Sequence, residues 1–148
     1  MQKSKLKFLR YGTAVLCVFG LLCIRGFETS LFYDPLHDYF RNDYLTEELP
    51  AFDLLPLTLS LSLRFLINSA LSLLIIRLLF PNQKITWLAI LYAILFLILV
   101  PMFFSVLAFW PENRFALFYI RRFLIQPLFL LLFVPALYYQ QTVGLKKS

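Results

Sequence analysis

The sequence predicts an all-α integral membrane protein: four transmembrane helices with a short interfacial helix or cap between the first and the second. Three observations predict it. Four apolar runs are each long enough to cross a hydrocarbon core, which takes about 20 residues of helix. Hydrophobic residues make up 61% of the chain and the mean hydropathy is +0.77, whereas soluble domains hold about 45–50% apolar residues. Seven of the 8 acidic residues fall in one stretch, residues 28–53, between the first run and the second. The 148 residues amount to one membrane domain.

The first run opens on Lys3, Lys5, Lys7 and Arg10 and turns apolar from Tyr11 to Ile24. A cleavable signal peptide has the same start, but no small-x-small site follows here; the chain continues Arg25-Gly26-Phe27-Glu28. An uncleaved first span over residues 8–27 is expected. Cys17 and Cys23 lie six residues apart, on different faces of a helix, and have no metal-ligand pattern around them. They read as small apolar filler.

Residues 28–53 carry Glu28, Asp34, Asp38, Asp43, Glu47, Glu48 and Asp53 among many large apolar side chains, too many for a disordered linker. Phe32, Leu36, Tyr39 and Phe40 recur at helical spacing. A short helix lying in the interface or folded over the bundle is expected, with Pro35 near its first turn.

The second span, residues 54–80, tolerates Pro56 because the first helical N–H groups have no partner to lose. Ser60, Arg64, Asn68 and Ser72 repeat every four residues and draw a polar seam along one face. A tight turn at Pro81-Asn82-Gln83-Lys84 leads to the third span, residues 85–110, which has no charge and reads as lipid-facing filler, with Pro101 a candidate kink. The fourth span, residues 115–139, carries Arg121, Arg122 and Gln126 ahead of Pro127.

With four spans both termini share a side. All six lysines fall on it together with Arg10 and Arg77, so the positive-inside rule makes it the cytoplasm. The acidic cap then faces outward from the cytoplasmic membrane. The net charge of +6 is no nucleic-acid signature, because the cations are dispersed among apolar helices.

Charged side chains at membrane depth cost a few kcal/mol each on insertion scales, so something must answer them. By helical rise, Arg121 lies about 10 Å inward from Arg114, and Arg64 about 15 Å along its helix from Leu54. Arg64 with Asn68, and Arg122 with Gln126, each set one cation and one amide four residues apart on a common face. In one reading Arg64, Arg121 and Arg122 pair with acids of the cap such as Asp34, Asp38 or Asp53. In another they receive an anionic group from a partner: a lipid phosphate, a lipid-linked sugar or a protein tail. In a third they snorkel to headgroups. The first two can coexist. Catalytic signals are thin: His37 is the only histidine, and there is no phosphate loop, metal cluster or serine-nucleophile motif. No cofactor is expected.

The pattern Ile24-Arg25, Phe27-Glu28, Leu31-Phe32-Tyr33-Asp34-Pro35-Leu36, Arg64-Phe65, Asn68 and Phe118-Tyr119-Ile120-Arg121-Arg122-Phe123-Leu124-Ile125-Gln126-Pro127 resembles the exosortase F system-associated membrane proteins of Bacteroidota. The resemblance covers nearly the whole chain. It implies association with a protein-sorting machine of the inner membrane, with exosortase F or its substrate as partner beside the membrane lipids. Exosortases resemble transpeptidases that use Cys, Arg and His; here the cysteines lie in the first helix, so the chain looks like the companion and not the peptidase. The expected function is a non-enzymatic accessory subunit. An intramembrane enzyme acting on an anionic lipid or sorting tail, or a small transporter, is the alternative.

Overall fold

A computed structural model describes residues 1–147. Among the described residues the helices run α1 (Gln2–Gly26), α2 (Glu28–Leu31), α3 (Leu36–Arg41), α4 (Leu54–Leu79), α5 (Ile85–Phe109), α6 (Arg114–Ile125) and α7 (Leu128–Lys147). Four of them, α1, α4, α5 and α7, are long and apolar enough to cross a membrane, and the fold is the all-α membrane architecture expected.

α4 is the hub. It packs against α1, α5, α6 and α7. Its polar seam faces inward: Ser60, Arg64, Asn68 and Ser72 are all buried, Arg64 to 1% exposure. The opposite face exposes Leu55, Leu59, Leu63 and Leu66, an apolar surface suited to lipid. Such a helix is apolar outside and polar inside, the reverse of a soluble surface helix. α1 runs antiparallel to α4. Arg10, near its start, donates to the Leu78 carbonyl at 2.6 and 3.1 Å, while Gly20 approaches Leu71 farther along.

α5 was expected to be lipid-facing filler, and only part of it is. Leu88, Tyr92, Leu99, Phe103 and Leu107 form a buried stripe, whereas Ile90, Ile94, Leu97 and Ile98 are exposed. Pro101 lies inside this helix.

The fourth run departs from the expected single helix. α6 ends at Ile125, and Gln126 is extended at φ −112°, ψ 143° before Pro127. The cause is local: proline has no N–H to give the Phe123 carbonyl, its ring crowds that carbonyl, and the residue before it is pushed out of the helical region. Pro135 sits inside α7, so proline alone does not dictate a break. At Gln126 the break has help, because the Asn68 side-chain amide donates to the Ile125 carbonyl at 2.9 Å and satisfies a group the broken helix leaves open. α7 then returns to the far end, where Leu130 and Leu137 pack with Ile75, Ile76, Phe80 and Leu88.

The cap folds over the mouth of the bundle. Pro35 precedes α3 as its N-cap, next to the first turn as expected. Leu36, Tyr39 and Phe40 are buried. Phe40 lies 5.7 Å from Phe118 between ring centroids, and Tyr44 stacks on Phe118 at 5.4 Å, so the cap is glued to α6 by aromatic contact. Asn113 caps α6 by accepting from the Ala116 N–H, and Arg114 reaches up to the Tyr44 carbonyl at 2.8 Å.

Candidate functional site: a buried ionic cluster and a cationic pocket

The chain between α1 and α3 places two carboxylates directly over α4. Glu28 begins α2 at the end of α1, and Asp34 follows after the chain leaves α2 in an extended conformation at Phe32, just before Pro35 at the start of α3. Arg64 donates to both, to Glu28 at 2.5 Å and to Asp34 at 2.6 Å. Arg121 on α6 donates to the same Asp34 oxygen. Thus the cap, α4 and α6 meet at one atom, Asp34 Oδ2.

The four charges are almost fully excluded from solvent: side-chain exposure is 1% at Arg64, 2% at Asp34, 7% at Arg121 and 8% at Glu28. Two cations and two anions leave the cluster neutral, which is what burial at membrane depth demands. Aromatic faces complete the shell, with Phe32 5.2 Å from the Arg64 guanidinium and Phe40 5.6 Å from that of Arg121. Asp34 Oδ1 and Arg121 Nε are buried without a hydrogen-bond partner, so the network retains capacity for another polar group.

Beside this cluster opens a cavity of about 540 Å³, walled by Arg25, Glu28, His37, Arg41, Arg121, Arg122 and Gln126, among others. Arg25 lies 3.3 Å from Glu28 with half its side chain exposed. Arg41 and Arg122 are exposed. Four guanidinium groups against one carboxylate make this wall strongly cationic. His37 Nδ1 stands 3.3 Å from Glu28 Oε1, on the opposite oxygen from Arg64.

The expected residues divide into three groups. Arg64, Arg121 and Asp34 converge as an ionic cluster. Asn68 serves the helix break and lies one turn below it. Arg122 and Gln126 bond to each other at 3.1 Å, but Arg122 is exposed on the pocket wall and takes no part in the buried cluster. Asp38 and Asp53 are exposed and pair with none of these arginines among the described residues, so two of the three expected counter-ions are corrected. The acid that replaces them is Glu28. Its position at the end of the first span was a weak signal, because Asp53 adjoins the second span as closely and is exposed. Arg25 and Arg41 were also missed as pocket residues, because each looks like an ordinary interfacial cation. Cys17 and Cys23, on α1, are not part of the pocket wall.

Fold and site together define a multi-pass membrane protein whose helices are tied to a cap by a neutral buried ion cluster, next to an open cationic cavity. No protein-family model matches the chain, and no curated protein or solved structure shows significant similarity to it.

Proposed function

We propose that this is an accessory membrane protein of an exosortase-type protein-sorting system, and that it binds the exosortase or an anionic sorting substrate in the cationic cavity beneath the cap. The observation that carries the binding step is the imbalance of the wall. Arg64 and Arg121 are neutralised internally by Glu28 and Asp34, while Arg41 and Arg122 on the same cavity pair with no carboxylate among the described residues. Two such guanidinium groups flanking a cavity suit a carboxylate or phosphate. The resemblance of the Phe32–Leu36 and Arg121–Pro127 segments supplies the sorting context. On this reading the cap faces outward from the cytoplasmic membrane and the lysine-rich end inward, following the positive-inside rule.

The test is capture from native membranes. A photocrosslinking residue at position 29, where Thr29 is exposed on the same cavity wall, should trap the exosortase or a protein bearing a sorting tail. An Arg41→Gln/Arg122→Gln variant should lose that product while retaining its melting behaviour. Unchanged crosslinking in that variant would remove the cavity from the role.

A second reading, an enzyme acting on an anionic lipid or sorting tail, draws on the contact of His37 with Glu28 on the cavity wall. It requires His37→Ala to abolish sorting while complex formation persists. The accessory role requires His37→Ala to be tolerated.

A further inference from the structure

The end of the bundle opposite the cap presents a different problem. Lys3, Lys5, Lys7, Arg10, Arg77, Lys84, Lys146 and Lys147 gather there, and no Asp or Glu side chain does, because all 8 acids lie in the cap or in the Trp110–Arg114 turn. Arg10 is spent on the Leu78 carbonyl. Arg77 closes the last turn of α4, about 20 Å along that helix from Arg64. Lys84 is the residue just before α5. Both are exposed, and between them runs a second cavity, of about 630 Å³, walled by Arg77, Asn82, Gln83 and Lys84 above and by Leu73, Leu74 and Ile85 below.

We infer that this cavity is a binding site for an anionic phospholipid. Its upper wall offers two cations and two side-chain amides, donors that suit a headgroup phosphate. Its lower wall is aliphatic and continues into the lipid-facing surface of α4, which suits an acyl chain and not a free ion. It stands at the end of two spans, at the level where headgroups lie. Cations near a membrane surface attract anionic lipid, and a cavity between helices that joins them to an apolar floor converts that attraction into a site. The inference is independent of the function proposed for the cap-side cavity, which lies at the other end of α4.

Trp87, half-exposed in the first turn of α5 and next in sequence to Thr86 of the cavity wall, serves as the reporter. The other of the 2 tryptophans, Trp110, is removed as Trp110→Phe. The full chain is reconstituted in phosphatidylcholine vesicles containing a minority of acyl-brominated phosphatidylglycerol or of acyl-brominated phosphatidylcholine. Brominated phosphatidylglycerol should quench Trp87 about threefold more than its zwitterionic counterpart at equal mole fraction, given the attraction expected of two basic residues. Arg77→Gln/Lys84→Gln should reduce that preference. Lys146→Gln/Lys147→Gln removes the same charge from the same end but leaves the cavity intact, and should reduce the preference less. Equal quenching by the two lipids, an unaltered preference in the Arg77/Lys84 variant, or equal losses in the two variants would each overturn the inference.

Discussion

Arg64 and Asp34, thirty residues apart in sequence, meet at 2.6 Å where α4 passes beneath the cap. Because Asp34 also accepts from Arg121, one carboxylate joins the hub helix to the broken fourth run, and Glu28 ties the end of α1 to the same guanidinium. Lifting the cap would strip both arginines of Asp34 in an environment that cannot solvate them. The cap is therefore a structural member of the bundle.

Removing one member of a buried pair costs more than replacing the pair, because it leaves a charge unanswered. Asp34→Leu is expected to destabilise the protein by about 3–5 kcal/mol. Arg121→Leu added to it should cost little further, since the cation left behind is then gone. Unfolding in detergent measures both; equal and additive losses would mean that the two residues do not share one interaction.

The Asn68 amide and the Ile125 carbonyl form a second dependency. Asn68→Leu leaves that carbonyl buried and unmatched, an expected loss of about 1–3 kcal/mol. With Pro127→Ala the helix can continue, and the Phe129 N–H becomes available to the same carbonyl. The Asn68→Leu penalty should therefore shrink in the Pro127→Ala background, as read by the same unfolding measurement.

Much of this was legible in the chain. The apolar runs located three of the spans and the number of four, because length and hydropathy are summed over many residues and tolerate local error. The four-residue repeat from Ser60 to Ser72 marked a buried face, since polar groups in a span turn from lipid. What composition could not disclose was which acid meets which cation. Asp34, Asp38 and Asp53 look alike in sequence; only the path of the chain around Pro35 turns Asp34 inward and leaves the others in water. The break at Gln126 was half-legible. Proline signalled a disturbed helix, but whether the helix bends or stops depended on a donor fifty-seven residues away in α4.

Arg121 and Arg122, adjacent in sequence, should respond oppositely to substitution. Arg121 is buried against Asp34, and Arg122 is exposed, its side chain bonded among the described residues to Gln126 one turn on. Arg121→Leu is expected to lower the melting temperature sharply. Arg122→Leu should leave it within error, because an exposed polar pair contributes little. A comparison of the two melting curves decides it; equal losses would place Arg122 inside the cluster.

Tyr39 gives the cap a dependence on alkaline pH. Its hydroxyl donates to the Tyr44 carbonyl at 2.9 Å, the carbonyl that Arg114 also holds. Burial pushes the phenol up from its ordinary value of 10.0; the Arg114 cation opposes this and Glu47 adds to it. A group whose folded pKa is raised contributes stability that is fully present below its unfolded pKa and is lost as pH rises through the folded one. At neutral pH, Tyr39→Phe should cost about 1 kcal/mol for the missing hydrogen bond. Above pH 10 the unfolded wild-type chain releases the Tyr39 proton more readily than the folded one does, and the variant has no such proton to release. The stability gap between wild type and Tyr39→Phe should therefore narrow as pH rises past 10, as followed by denaturant unfolding at stepped pH. A constant gap would mean that the phenol titrates alike in both states.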